Sequence, residues 1–215
     1  VDRIFNKFSA SDLISGYNYR RSKSDLFIST NPLPEIIQFN TVEGYVVNFR
    51  FRFLKECENK DVITLIPNLR YAIGADKVFA NGSISYMYDQ FTRSTISLRG
   101  GSNVMQFNET GIIPIVNSFY SLLVEENYLK LYQTQYLEAN YSKELFNGFY
   151  ASFSAGFRDR NYLNNLGMVD SWIDVPDKTF TPNYYPFSDE TLNTEMPSRI
   201  SAGLSIRYQI KQKYI

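Results

Sequence analysis

The chain of 215 residues contains no histidine and a single cysteine. Without histidine it has no Ser-His or Cys-His nucleophile pair and no zinc site built on imidazole. Cys57 cannot form an internal disulfide, and the charges of Glu56 and Glu58 disfavour its thiolate. The sequence has no Walker-type phosphate loop, and its acidic loops lack EF-hand spacing. We therefore expect a protein that is not an enzyme, with no catalytic residue, cofactor or metal site.

A charge excess and a long apolar run are also absent. Lys and Arg number 22, as do Asp and Glu, so the balance gives no reason to expect a nucleic-acid partner. No run approaches the roughly 18 apolar residues of a membrane-spanning helix. The chain opens on VDRIFNKF without a signal peptide or initiator methionine. We read this opening as the middle of a longer protein.

Aromatic residues are abundant, with 17 Tyr and 17 Phe, and they follow a period of two. In residues 199–210 the even positions are apolar and most odd positions are polar, which predicts a strand between two different environments. The same alternation recurs in six other segments, so we predict about seven strands. These segments are GYVVNFRFRFLKE, DVITLIPNLRYAIGAD, KVFANGSISYMYDQ, the shorter TRSTISLRGG, the weaker TQYLEANYSKEL and its expected partner NGFYASFSAGFRDR. Pro67 suggests a bulge or an edge in the second of them.

Two features favour lipid over a soluble core on the apolar side. The strands are about ten residues long or more, as a membrane-spanning strand requires, whereas soluble sandwiches use about five or six. The apolar faces mix small residues with Phe and Tyr and often end in Tyr, as an aromatic girdle does. The alternative is a soluble antiparallel barrel or sandwich with the same half-buried pattern. We predict an all-β fold, an antiparallel up-and-down meander that forms part of a transmembrane outer-membrane β-barrel.

The alternation assigns side chains to two faces. The candidate lumen-lining residues are Arg50, Arg52, Arg70, Arg99, Arg158 and Arg207. The candidate lipid-facing residues are Phe49, Phe51, Phe53, Phe153, Leu204, Ile206 and Tyr208. The arginines either line a water-filled interior or form structural ion pairs with acidic residues across it, and we expect ion pairs for most of them.

The lengths of the connections indicate which end of the sheet carries the long loops. Residues 1–43 form a weakly patterned lead-in of a strand or two and a loop, and residues 44–215 carry the barrel strands. In a meander the fourth and sixth links, near 103–127 and 161–197, fall at the same end and are candidate external loops. Within the first of them, Val116, Phe119, Tyr120 and Leu123 have helical spacing. They predict one short helix, capped by Asn117 or Ser118.

Three stretches carry a resemblance to a known family. These are FNTVEGYVVNFRFRF, NSFYSLLVEENYLKLYQTQYLEANYSKELFNGFYASFSAGFRDR and the closing IRYQIKQKYI. They resemble the DUF5686 family of Bacteroidetes outer-membrane proteins over roughly residues 36 to 215. The family's members generally carry a carboxypeptidase-regulatory-like domain before a β-barrel that continues beyond the closing motif. The resemblance therefore implies a partial barrel from the bacterial outer membrane, within a larger protein.

The resemblance transfers a fold and a location, and the family's function is not established. We expect a non-enzymatic outer-membrane barrel with a role in transport or in envelope or protein assembly. Its partners would be outer-membrane lipid and other envelope proteins, and no nucleic acid. The alternative is a structural or ligand-binding β-barrel or sandwich, soluble or surface-exposed, with no channel activity.

Overall fold

The computed structural model describes residues 2–108, 110–167, 171–183 and 196–210. Within these ranges the lead-in forms short elements, namely α1 (Asp2–Phe5), α2 (Asp12–Ser15), β1 (Asn18–Arg21), β2 (Leu26–Thr30), α3 (Leu33–Ile36) and β3 (Ile37–Asn40). The rest forms β4 (Gly44–Glu56), β5 (Val62–Ala72), β6 (Lys77–Asp89), β7 (Ser94–Gln106), α4 (Pro114–Val124), β8 (Leu131–Phe146), β9 (Phe149–Tyr162) and β10 (Arg199–Tyr208). The predicted all-β fold is confirmed.

The strands of the described residues form one antiparallel, up-and-down sheet. Its order is β1-β2-β4-β5-β6-β7-β8-β9-β10, and β3 pairs with β4 beside β2. The sheet is open, because β1 and β10 do not pair with each other within the described part of the chain. All seven strands expected from the alternation are present. The lead-in contributes β1, β2 and β3 to the same sheet and is therefore more ordered than its weak pattern suggested.

Two local expectations were wrong. Pro67 lies in the interior strand β5, opposite Gly82 of β6, and the register of β5 with β4 is the same on both sides of it. Pro67 therefore interrupts pairing on the β4 side without a bulge and without an edge. The stretch TRSTISLRGG was expected to be a shorter strand, but β7 has 13 residues and continues past Gly100 and Gly101 to Gln106.

The two long links lie at the same end of the sheet. They run from 107 to 130 and from 163 to 198, so the expected boundaries were a few residues off at each end. The turn at 73–76 and the start of β4 belong to this end too, whereas the turns at 57–61, 90–93 and 147–148 lie at the other. We call the first the loop end and the second the turn end. Part of the second link, 168–170 and 184–195, lies outside the described residues.

A packed cap covers the loop end. We define the cap as residues 37–43, 107–108, 110–130, 163–167 and 171–183. Its apolar core joins link residues to the ends of strands and contains Val42, Ala72, Phe79, Val104, Leu129 and Leu131. Gly74 packs closely against the cap, since a Cβ there would lie 2.6 Å from Cδ1 of Leu166 and 3.0 Å from the carbonyl oxygen of Glu43, so a larger residue would displace Leu166.

The helix predicted in the first long link is α4, but its start and its cap were predicted wrongly. It begins at Pro114, so Asn117 and Ser118 lie inside it and do not cap it. Its buried residues are Asn117, Ser118, Ser121 and Leu122. Phe119, Tyr120 and Leu123, whose spacing predicted the helix, are exposed.

Candidate functional site

The register places polar and apolar side chains on opposite faces of the sheet. Arg50 of β4 lies opposite Asn68 of β5, which lies opposite Asn81 of β6. Because direct partners point to the same side of a sheet, these residues form one row. The row continues through β7 and β8 to Arg158 of β9 and Arg199 of β10. We call this side the polar face. Grooves of about 570 and 300 Å³ lie on it.

All six candidate lumen-lining arginines lie on the polar face, and four of them form ion pairs. Arg50 contacts Glu35 at 2.7 Å, and both side chains are half-exposed. Arg70 binds Glu43 with two nitrogens, at 2.8 Å and 2.5 Å. This second pair is buried, since Glu43 is 1% exposed and Arg70 9%. A bidentate geometry of this kind is the strongest that an arginine and a carboxylate form.

Glu138 of β8 joins two further arginines across three strands. Its Oε2 accepts a hydrogen bond from Nε of Arg99 on β7 at 2.7 Å. Its Oε1 accepts one from Nη2 of Arg158 on β9 at 2.6 Å. The Arg158 guanidinium also lies over the ring of Tyr136, 5.8 Å from its centroid. Three charged groups thus tie neighbouring strands together in the middle of the polar face.

The two remaining arginines have no carboxylate partner within the described residues. Arg52 is exposed and borders a cavity near β2. Arg207 lies over the ring of Tyr150. Whether these six side chains line a lumen stays a prediction, since the sheet is open.

The candidate lipid-facing residues lie together on the opposite side, the apolar face. Leu204 is 72% exposed and Phe153 52%, and no second layer covers them within the described residues. Phe51 and Phe53 stack on each other along β4. The same set also includes Phe49, Ile206 and Tyr208, all more than one-third exposed. Contact of this face with lipid stays a prediction.

Buried polar side chains hold the cap together. Asn117 Oδ1 accepts backbone N–H bonds from Tyr128 and Leu129, at 2.9 and 3.0 Å. Ser118 Oγ accepts the N–H of Phe39 at 2.8 Å and also bonds its carbonyl oxygen at 3.0 Å. In this way α4 satisfies backbone groups of β3 and of the chain entering β8 that would otherwise be buried without partners.

Thr41 and Asn183 extend this polar network to the second long link. Thr41 Oγ1 donates to Asn165 Oδ1 at 2.7 Å and accepts from Asn127 Nδ2 at 2.6 Å. Asn183 Nδ2 donates to the carbonyl oxygens of Leu131 and Leu163, both at 2.6 Å. Both long links are therefore fixed to each other and to the strand ends.

Lys130 is a charged group of the cap, and its surroundings lower its pKa. Partial burial lowers the pKa of its ammonium to about 8, because desolvation penalises the charged form. Its Nζ donates to Thr181 Oγ1 at 2.7 Å and to the carbonyl oxygen of Pro182 at 2.8 Å. These neutral acceptors hold the amine in the cap, and among the described residues no carboxylate bonds it.

Sequence reasoning did not single out the glutamates that pair with the arginines. Glu43 precedes the first strongly patterned strand and belonged to the lead-in. Glu138 lies in TQYLEANYSKEL, where Leu137 and Ala139 flank it with the alternation of a strand. That alternation was the one signal that could have placed Glu138 on the same face as Arg99 and Arg158.

In the described residues no three metal-ligating side chains of the His, Cys, Asp or Glu types converge. None of the helices there combines the length and apolar content that a membrane crossing needs.

The sequence belongs to a recognised family. A family model described as the C-terminal domain of a family of unknown function, DUF5686, matches residues 11–215. The match confirms the resemblance seen in the motifs and extends it into the lead-in. No curated protein and no solved structure matches the chain. On the strength of a family match over nearly its whole length, the chain belongs to the DUF5686 family, whose C-terminal domain it contains.

Proposed function

We propose that this domain forms part of the wall of a bacterial outer-membrane β-barrel. We further propose that the barrel is not an enzyme and serves transport or the assembly of proteins or other envelope components. The observation that carries the proposal is the uncovered apolar face on strands of 10 to 16 residues. Strands of about 9 to 11 residues suffice to cross a membrane.

The energetics support lipid as the neighbour of this face. Burying apolar surface stabilises by roughly 25 cal/mol per Å², and soluble monomers rarely leave an apolar patch of more than a few hundred Å² in water. The polar face, with its ion pairs and hydroxyl groups, suits a wet interior. Tyr45, Tyr71 and Tyr208 lie at strand ends on the apolar face, where an aromatic girdle meets the membrane surface.

Two neighbouring cysteine variants test the assignment of faces. In a Cys57→Ser background, Leu204→Cys and Ser205→Cys place one thiol on each face of β10. We expect the protein in the outer-membrane fraction. There a membrane-impermeant maleimide should label position 205 and leave position 204 largely unlabelled, because lipid would shield the apolar face. A fluorophore at position 204, and not at 205, should be quenched by brominated lipid. Equal labelling of both positions, or a soluble protein, would contradict the proposal.

A further inference from the structure

Two arginines at the turn end contact the same aromatic ring, and neither is paired with a carboxylate among the described residues. Arg93 lies in the turn before β7 and Arg207 near the end of β10. Their guanidinium carbons are 5.8 Å and 4.8 Å from the ring centroid of Tyr150. Neither arginine forms an ion pair within the described residues, whereas four arginines of the same face are paired with glutamates.

The backbone holds both cations in place. Arg207 is the direct Cα partner of Tyr150 in the β9–β10 ladder. Arg93 adopts a left-handed backbone conformation, with φ of 51°, which non-glycine residues rarely use. Because each guanidinium carbon lies within 6 Å of the same ring centroid, the two like charges are at most about a Debye length apart, and their repulsion is only partly screened. An anion between them would remove this cost.

The acidic residue that lies beside Tyr150 in the ladder forms hydrogen bonds to the neighbouring turns. Glu144 of β8 is the Cα partner of Tyr150, and it is 2% exposed. Its Oε1 accepts the backbone N–H of Gly148 at 2.7 Å, in the turn between β8 and β9. Its own N–H donates to the carbonyl oxygen of Thr92 at 2.7 Å. Glu144 thus contributes to the turns, and the two guanidinium groups stay exposed on the polar face.

Hydroxyl groups complete the surroundings of the arginines. Thr95, Ser142, Ser152 and Ser205 are successive Cα partners across β7, β8, β9 and β10. Together with Arg93, Arg207 and Lys143 they line a cavity of about 430 Å³. Each guanidinium has five N–H donors and each hydroxyl can rotate to donate, so the cavity is rich in donors.

We propose that this cavity is a binding site for a phosphate group. A phosphate monoester carries between one and two negative charges near neutral pH and three strongly accepting oxygens, which matches the cationic side chains and the hydroxyl donors of the cavity. Arginine is well suited to it because its planar fork bonds two phosphate oxygens at once. A carboxylate, with one charge and two oxygens, would leave one arginine uncompensated. The site needs only a wet polar face and does not depend on the proposed membrane role.

The phosphate can come from a soluble ion or ester, or from a lipid headgroup, and two probes separate these sources. The protein in detergent micelles is titrated calorimetrically with inorganic phosphate and, separately, with short-chain phosphatidic acid. We expect saturable binding of at least one probe, weakened by added NaCl. Phosphate binding identifies a soluble source, and binding of the lipid alone identifies a headgroup.

Variants show whether the arginines carry the binding. Arg93→Gln and Arg207→Gln should each weaken binding at least about tenfold, since each removes a charge-assisted bond. Arg207→Lys, which keeps the charge, should weaken it less than Arg207→Gln. Arg50→Gln is the matched control, because it removes the same charge from a paired arginine of the polar face, and it should leave binding unchanged. No binding of either probe, or equal weakening by Arg50→Gln and the two site variants, would overturn the proposal.

Discussion

At the scale of single residues, the ion pairs of the polar face differ in how deeply their side chains are buried. Arg50 and Glu35 are half-exposed, and exposed pairs of this kind contribute about 0–1 kcal/mol. Arg70 and Glu43 are buried in the cap, where Asn40 Nδ2 also donates to Glu43 Oε2 at 2.8 Å. Removing one partner of such a pair leaves an uncompensated charge in a medium of low polarity, which costs about 3–5 kcal/mol.

The free energy of unfolding should therefore depend strongly on Glu43 and weakly on Glu35. We expect Glu43→Gln to destabilise the protein by about 3–5 kcal/mol and Glu35→Gln by less than about 1 kcal/mol. Urea unfolding in detergent micelles measures both, with the fluorescence of Trp172 as the probe. Trp172 lies in the cap, and its indole N–H donates to the hydroxyl of Tyr45 at 2.7 Å. Equal shifts of the urea midpoint in the two variants would contradict the structural role of the buried pair.

Among the elements, α4 buries three small or polar side chains together with Leu122, and its exposed face is apolar. Asn117 is fully buried and supplies the acceptor for two backbone N–H groups. Phe119, on the other side, is exposed. The helix is therefore anchored by hydrogen bonds more than by apolar packing.

Replacing Asn117 should loosen the start of β8. In Asn117→Ala the N–H groups of Tyr128 and Leu129 lose their acceptor, and each buried unsatisfied donor costs about 1–3 kcal/mol. We expect faster hydrogen exchange at these two amides and a lower unfolding midpoint. Phe119→Ala is the control on the exposed face and should leave the exchange of both amides unchanged. Unaltered exchange in Asn117→Ala would show that water or other groups replace the side chain.

The elements also show how far the sequence predicts this structure. The alternation located β4 to β10 and assigned residues such as Phe153 and Ser154 to opposite faces, because period two is a local property of the chain. The spacing of Phe119 and Tyr120 located α4 for a similar reason. The buried face of α4 was missed because it is set by Phe39, whose backbone bonds Ser118 from 79 positions away. The pairing of Arg70 with Glu43 could likewise not be predicted from the sequence, because it depends on the conformation of the turn before β4.

For the whole molecule, the dominant feature is a sheet with one wet and one apolar side. The exposed large apolar residues extend from β4 to β10 on the apolar face, among them Phe49, Leu69, Ile84, Leu137 and Leu204. The buried apolar core is small by comparison and lies at the loop end, where the cap meets the strand ends. Stability in water would therefore require the apolar face to be covered.

The mass of the chain in solution without detergent tests whether the apolar face must be covered. We expect the isolated 215-residue chain to be oligomeric or aggregated in water, because contact between apolar faces removes them from solvent. In detergent micelles it should be monodisperse. Light scattering after size-exclusion chromatography gives the mass in both conditions. A monodisperse monomer in water that unfolds cooperatively would mean that the chain is a soluble domain, and the outer-membrane proposal would be withdrawn.

The connectivity also determines a sequence of assembly. From β4 to β10 each strand pairs with its neighbour in the chain. The strands β4 to β7, and the pair β8 and β9, are joined by short turns, so these parts of the sheet can form with little loop-closure entropy. The contacts of the cap span far greater separations, such as 86 positions between Asn127 and Thr41 and 124 between Thr41 and Asn165. The contact between Thr41 and Asn165 can form only after β9 has brought the second long link to the loop end. The contact between the two ends of the cap thus forms after β4 to β9 have paired, and it stabilises a sheet that is already assembled up to β9.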